Sequence, residues 1–118
     1  MADRFTEADA DCATVRLAAA LRLHCIPRTK AGRKQAEELG VPVAHLVKAA
    51  NGAGYSGYSA PALTLDYNTC YGGGRIEQMH TDNTGCSTPF GSNRCPAREL
   101  YDRVRFALDV LWMVKAAK

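Results

Sequence analysis

The sequence predicts an α+β protein with a helical N-terminal half, a small antiparallel β-sheet of two or three strands, and a long C-terminal helix packed on that sheet. Three observations lead to this fold class. Residues 6–50 carry alanine- and leucine-rich helical runs, residues 62–90 alternate apolar and polar side chains between glycine-rich turns, and residues 96–118 form a strong amphipathic helix pattern. A helix with a wide apolar face must bury it, and the preceding strands are its nearest partner.

Chain length predicts one domain. At 118 residues the chain is long enough for one hydrophobic core and short for two. We therefore expect a single domain, residues 1–118, made of a helical half (1–50), a connecting loop (51–61) and a hairpin followed by the last helix (62–118). No apolar run reaches the roughly 18–20 residues that span a bilayer, and the first residues lack the order of a signal peptide. These features predict a soluble, cytoplasmic protein.

The first helix has a clear start and a clear end. Thr6 and Asp9 have the spacing of a capping box, and the run that follows is rich in alanine and leucine. The helix is predicted from Glu7 to Leu23. It ends before Pro27, because the residue that precedes a proline is disfavoured in the helical conformation.

Two shorter helices are predicted next. A helical run begins near Thr29 and closes at Gly40, since glycine readily adopts the left-handed conformation that ends a helix. Pro42 suits the first turn of a further helix, which we place at residues 42–50. Asn51 and the glycines that follow predict a loop.

Strand signals follow the loop. Residues 63–67 alternate in polarity with the period of a half-buried strand. The three glycines at 72–74 permit a reversal into a second strand at 75–81, residues 82–85 form a turn, and 86–90 predict a short third strand.

The last helix begins at Pro96. Its apolar residues recur at helical spacing, and Phe106, Val110 and Met113 widen the apolar stripe, so we expect this whole face to be buried. Trp112 falls beside the charged outer face. It is a candidate anchor for a homodimer, and the alternative is a tryptophan tucked under a loop.

Charge is distributed unevenly. The net charge is only +3, yet residues 16–34 hold six cations and no acidic residue. These cations are Arg16, Arg22, Arg28, Lys30, Arg33 and Lys34. Such a segment attracts phosphates or an acidic protein surface, and the alternative is a solvated positive face without a partner.

Residues 35–48 resemble the helix-turn-helix of bacterial and phage regulators. Ala36 is the small residue where the helices cross, Gly40 permits the turn, and Leu46 packs between the helices. The resemblance implies that the second helix enters the major groove of duplex DNA. It assigns phosphate contacts to Arg28, Lys30, Arg33 and Lys34, and base contacts to Ala44, His45 and Lys48. The segment departs from the pattern in opening with Pro42-Val43-Ala44 instead of polar side chains, and the alternative is an ordinary helical hairpin.

A second resemblance covers about the last fifty residues. Residues 71–79, followed by 89–91 and by Arg98-Glu99-Leu100-Tyr101, resemble small prophage-encoded proteins with a glycine-rich hairpin and an Arg-Glu-Leu-Tyr helix start. The resemblance implies a phage origin and no particular chemistry. Small phage proteins commonly bind host or phage macromolecules, as regulators or as inhibitors of defence systems.

No strong catalytic or metal signature is present. The five cysteines are scattered, so most are expected to be reduced thiols. A zinc site is an alternative for Cys70, His80, Cys86 and Cys95, but the short Cys-x-x-Cys spacing is missing. A hydrolytic set can be composed from His80, Asp82 and Ser87, but no nucleophile elbow surrounds a serine. We therefore predict no enzyme activity, no metal and no cofactor.

The resulting functional hypothesis is a non-enzymatic, phage-type DNA-binding regulator that uses residues 28–51. The alternative is a phage-encoded inhibitor that binds a host defence protein or a nucleoprotein complex. We expect no membrane partner.

Overall fold

The computed structural model describes residues 6–48, 52, 54–81, 86–91 and 93–116. The α+β class is confirmed. The described helices are α1 (Glu7–Leu21), α2 (Lys30–Leu39) and α3 (Ala97–Ala116). The described strands are β1 (His24–Ile26), β2 (Leu46–Lys48), β3 (Tyr55–Tyr58), β4 (Ala62–Asn68), β5 (Gly73–Met79) and β6 (Cys86–Ser87), and Thr69–Tyr71 form a 3-10 turn.

Local sequence signals account for the helix ends. The Thr6 hydroxyl accepts a hydrogen bond from the Asp9 amide while the Asp9 side chain accepts one from the Thr6 amide, which is the predicted capping box. Arg22 closes α1 in the left-handed conformation (φ 58°), so the helix ends at Leu21, two residues earlier than predicted. Thr29 caps the start of α2 and Gly40 (φ 70°) closes it, both as predicted.

The main sheet is larger and more mixed than expected. Its strand order is β1-β4-β5-β6, and β4, β5 and β6 pair in antiparallel fashion, as predicted for the C-terminal half. His24–Ile26 adds a fourth strand, which lies parallel to β4 with Cys25 opposite Leu63. Parallel pairing requires a long connection, and residues 27–61 supply it.

α1 lies at the centre of the molecule. It contacts α2, α3 and β4, and its buried residues are mostly small, which allows the neighbouring elements to approach closely. The core is completed by the inward side chains of the strands and of the first turns of α3. Its largest fully buried apolar residues are Leu17, Leu63, Leu65, Ile76, Leu100, Val15 and Val104.

The predicted helix at residues 42–50 is wrong. Cys25 donates its amide proton to the Pro42 carbonyl, and the Ala44 amide donates to the Cys25 carbonyl, so the chain runs beside β1 as a parallel bridge. It continues into β2, which pairs with β3 in a separate two-stranded sheet. The open edge of β1 provides hydrogen bonds that a helix here would leave unmade. Residues 49–51, and the turn expected at 82–85, lie outside the described residues.

β3 also contradicts the prediction of a continuous loop at residues 51–61, because Tyr55–Tyr58 is extended and paired. β3 is present because β2 needs a neighbouring strand to pair its backbone N–H and C=O groups.

Among the described residues, no helix combines the length and the apolar character needed to cross a membrane.

Candidate functional site

The C-terminal half of α3 carries a row of exposed apolar side chains. The first turns of the helix are buried through Ala97, Leu100 and Val104. Further along, Phe106 is 72% exposed and Met113 is 63% exposed, although both belong to the stripe that was expected to be covered. That expectation is wrong, because the core covers the helix face that carries Leu100, Val104 and Leu111, and Phe106 lies roughly 120–160° around the helix from those residues.

Phe106 and Val110 border an open apolar groove of about 840 Å³, and Met113 follows on the next turn of the same helix. One wall is α3, and the opposite wall comes from the C-terminal end of α1, through Leu17 and Leu21. Leu63 of β4 lies at the base, and the loop at Pro89 and Phe90 closes one end. The volume falls in the range of protein pockets that bind ligands, and the lining is predominantly apolar.

Arg103 organises the rim of the groove. It donates one hydrogen bond to the Phe90 carbonyl oxygen (3.2 Å) and another to Glu99 Oε1 (3.0 Å). The first bond holds the Phe90 loop against α3, and the second neutralises the charge of Glu99. The Arg98 and Asp102 side chains also pair, at 3.5 Å, as the four-residue spacing predicts. The rim therefore carries charges that are balanced within the chain.

Trp112 is exposed on a different face of α3 from the groove. Its side chain is 70% exposed, so it is not tucked under a described loop. At 3.6 residues per turn, Trp112 lies about 120° around the helix from Phe106. One partner helix seated in the groove would not cover both residues.

The four predicted phosphate-contacting cations are exposed and close together in sequence. Arg28 precedes α2, and Lys30, Arg33 and Lys34 lie on the helix itself. The Arg28 Nε atom donates to the Thr64 hydroxyl at 3.0 Å. Within the described residues, none of these four forms an ion pair, whereas four arginines of the C-terminal half are paired with carboxylates, namely Arg75, Arg94, Arg98 and Arg103.

The remaining predicted base-contacting residues do not form a recognition helix. Ala44 is buried, with 5% of its surface exposed, and lies beside β1. His45 is exposed, and its amide donates to the Ser59 hydroxyl at 3.1 Å. Lys48 is exposed at the end of β2. Residues 35–48 therefore have a helix and a glycine turn but no second helix, so the geometric basis of the helix-turn-helix hypothesis is missing.

His80 and Ser87, which the sequence suggested as parts of a hydrolytic set, are in contact. His80 Nε2 lies 2.8 Å from the Ser87 hydroxyl, across the end of the β5 and β6 pair. Asp82 lies outside the described residues. An activated serine needs a base that a third group orients, and no described carboxylate bonds to His80. Ser87 is exposed and does not line the groove, so we interpret the contact as part of the hairpin.

The described cysteines are free thiols and do not gather at one place. Burial raises the pKa of the Cys25 thiol, with a further contribution from the Asp11 carboxylate, and burial likewise raises the pKa of Cys95. Desolvation raises the pKa of Cys86, and the adjacent Glu77 carboxylate adds to the effect. Across the described positions, no group of three or more His, Cys, Asp or Glu side chains is arranged to hold a metal ion.

The sequence matches no family model, and no curated protein and no solved structure matches the chain. The resemblance to small prophage proteins therefore stays a prediction. The groove was not predicted as a site from the sequence. The sequence nevertheless contained an indication of the groove, because the apolar stripe of α3 includes more residues than the fold buries.

Proposed function

We propose that this chain is a non-enzymatic protein-binding module, and that its groove beside α3 accepts an amphipathic α-helix of the partner. The observation that carries the proposal is the exposed row of Phe106, Val110 and Met113 beside an open apolar groove. The proposal develops the alternative drawn from the sequence, in which a phage-encoded inhibitor binds a host protein.

The spacing of the row supports a helical occupant. Phe106, Val110 and Met113 stand at positions i, i+4 and i+7, which place one side chain on each turn of a single helix face. This is the pattern by which one helix packs against another in helix-in-groove recognition. The wall formed by α1 offers the exposed side chain of Leu21 to the other side of the same occupant, and the buried Leu17 lies behind it.

The energy of the surface is consistent with binding. Complete burial of a side chain such as Phe, Val or Met contributes about 1.5–3 kcal/mol, so the partly exposed row has roughly 3–5 kcal/mol to gain. Association itself costs several kcal/mol in lost motional freedom. The row alone is therefore insufficient, and the α1 wall must also be covered for a stable complex.

A synthetic amphipathic helix with leucine at i, i+4 and i+7, labelled with fluorescein, is a suitable probe. We expect its anisotropy to rise on addition of the protein, and we expect Val110→Asp to abolish the rise because a carboxylate would be desolvated in the groove. Trp112→Asp is the matched control, since it adds the same charge on another face. Equal binding by both variants, or no binding by a wild type that is monomeric at the assay concentration, would contradict the proposal.

A second candidate function rests on the free cations of α2. Lys30, Arg33 and Lys34 form no ion pair with described carboxylates, although Glu37 and Glu38 lie on the last turn of the same helix. Such a surface can contact the phosphates of duplex DNA without a recognition helix. The DNA-binding regulator proposed from the sequence would then recognise phosphates more than base sequence.

A salt titration of duplex binding tests this second candidate. The affinity should fall steeply with salt, and removal of one phosphate contact by Arg33→Ala or Lys34→Ala should reduce the slope by about 1. Arg105→Ala, which removes an exposed arginine from α3, is the control and should leave the slope unchanged. Absence of duplex binding at low salt would refute nucleic-acid binding by this surface.

A further inference from the structure

We infer that the helix that fills the groove is α3 of a second copy of this chain, so that the protein forms a twofold-symmetric dimer. The inference rests on the proposed function, because it names the occupant of the same groove. It differs from self-association through Trp112, which lies on another face of the helix.

The exposed apolar area matches what a homodimer requires. Phe106, Met113, Val114, Val110 and Leu21 are exposed by 72%, 63%, 51%, 43% and 42%, respectively. With ordinary side-chain areas these fractions amount to roughly 500 Å² in each copy. A standard interface buries about 800 Å² per partner, and homodimer interfaces are about 65% apolar, which is close to the same 500 Å². Leu21, Phe106 and Val110 line the groove, and Met113 and Val114 follow on the next turn of α3, so together they have the apolar area of one whole interface.

α3 presents an exposed apolar row and also forms one wall of the groove, so the same patch can act as the inserted helix and as the receiving site. A twofold interface requires such a self-complementary patch. In such an interface each copy contributes the same patch, and residue i of one copy meets residue j of the other in both directions. If two antiparallel α3 helices cross at Val110, Phe106 of one copy lies near Val114 of the second copy. The exposed row of each helix then enters the groove of the other.

The charges on α3 do not oppose this arrangement. Glu99 is paired with Arg103, and Arg98 is paired with Asp102, within each copy. These ion pairs leave the rim of the groove without a net charge, so two copies that associate through it do not bring like charges together. A partner chosen by electrostatic attraction would need a charged rim, which these ion pairs remove.

Sedimentation equilibrium of the intact chain, with light scattering after gel filtration, tests the inference. We expect a dimer for the wild type, and we expect Val110→Asp to weaken the dimer at least about 100-fold, because two carboxylates would meet near the twofold axis. Trp112→Asp should remain dimeric. Far-UV circular dichroism establishes that each variant is folded.

A cross-linking variant provides a second measurement that does not depend on destabilisation. In a background of Cys70→Ser and Cys86→Ser, which removes the exposed thiols described in the structure, Val110→Cys should form a disulfide-linked dimer on mild oxidation. Asp109→Cys, placed one residue away on the outer face, should link far more slowly. Equal rates for the two variants would overturn the proposed register.

The outcomes separate the inference from the proposed function. A wild-type chain that stays monomeric, yet binds the labelled helical peptide in a manner that depends on Val110, would overturn the dimer and retain the protein-binding groove. A dimer that survives Val110→Asp but is lost in Trp112→Asp would place the interface on the other face of α3. Loss of peptide binding together with a monomeric wild type would remove both proposals.

Discussion

Gly32 lies on α2 directly against the buried carboxylate of Asp11, and this contact makes a sharp prediction about stability. Asp11 Oδ2 accepts hydrogen bonds from the Arg28 amide (2.9 Å), the Thr29 amide (2.8 Å) and the Thr29 hydroxyl (2.8 Å). A β-carbon at position 32 would collide with this oxygen and lie 2.7 Å from the Asp11 Cγ atom. Gly32→Ala must therefore displace the carboxylate that holds the start of α2 to α1.

Two opposing effects determine the magnitude. Replacing glycine by alanine inside a helix normally stabilises it by about 1 kcal/mol. Against this, overpacking costs about 1–3 kcal/mol, and each hydrogen bond to a charged group contributes about 1.5–3 kcal/mol. If the alanine weakens only one or two of the three bonds to Asp11, the net cost is about 2–3 kcal/mol, which is a large part of the stability of a typical domain.

Urea denaturation followed by far-UV circular dichroism measures the effect in a double-mutant cycle. Asp11→Ala alone should cost about 3 kcal/mol, because it leaves the amides of Arg28 and Thr29 without their acceptor. In that background the collision is absent, so Gly32→Ala should become neutral or stabilising by about 1 kcal/mol. A Gly32→Ala cost of the same size with and without the aspartate would show that the collision with Asp11 is not the cause of the destabilisation.

Two further predictions concern glycine packing and thiol reactivity. In the same urea assay, Gly73→Ala should destabilise the protein by more than about 2 kcal/mol, because the φ of Gly73 is +112° and a β-carbon there would collide with the Cys95 carbonyl. Gly72→Ala is the control. Gly72 has a φ of +90° and open space around it, so the substitution should cost only about 1–2 kcal/mol. When maleimide labelling of the native protein at neutral pH is mapped by mass spectrometry, the exposed thiol of Cys70 should react well before those of Cys25 and Cys95, whose burial raises the pKa and blocks access. Rapid labelling of Cys25 would show that the edge of β1 opens readily.

The ends of the helices are predictable from the sequence. The capping box at Thr6, the hydroxyl cap at Thr29 and the left-handed glycine at Gly40 are interactions between residues a few positions apart, so the sequence alone predicts them. Residues 42–48 show the opposite case. Pro42 is compatible with a helix start, but the hydrogen bonds that select the extended form come from Cys25 and from β3, which are distant in sequence.

Asp11 illustrates the same limit for a single side chain. Helical periodicity alone places Asp11 on a flank of α1, where a carboxylate is ordinarily solvated. The structure buries it at 1% exposure, because α2 folds back and offers two amides and a hydroxyl to its carboxylate. Only the packing of the two helices provides these donors, and a buried carboxylate without them would be strongly unfavourable.

Sequence patterns were enough to locate the three described helices, to predict strands over most of residues 62–87, and to recognise that α3 is apolar over a wide face. The extra strand at His24–Ile26, the extended path of residues 42–48 and the covered part of the α3 face depend on tertiary contacts. Periodicity and capping involve neighbours along the chain, whereas burial depends on how many elements the fold brings to each surface. The fold brings too few elements to cover Phe106, Val110 and Met113, and these side chains therefore remain exposed beside the groove.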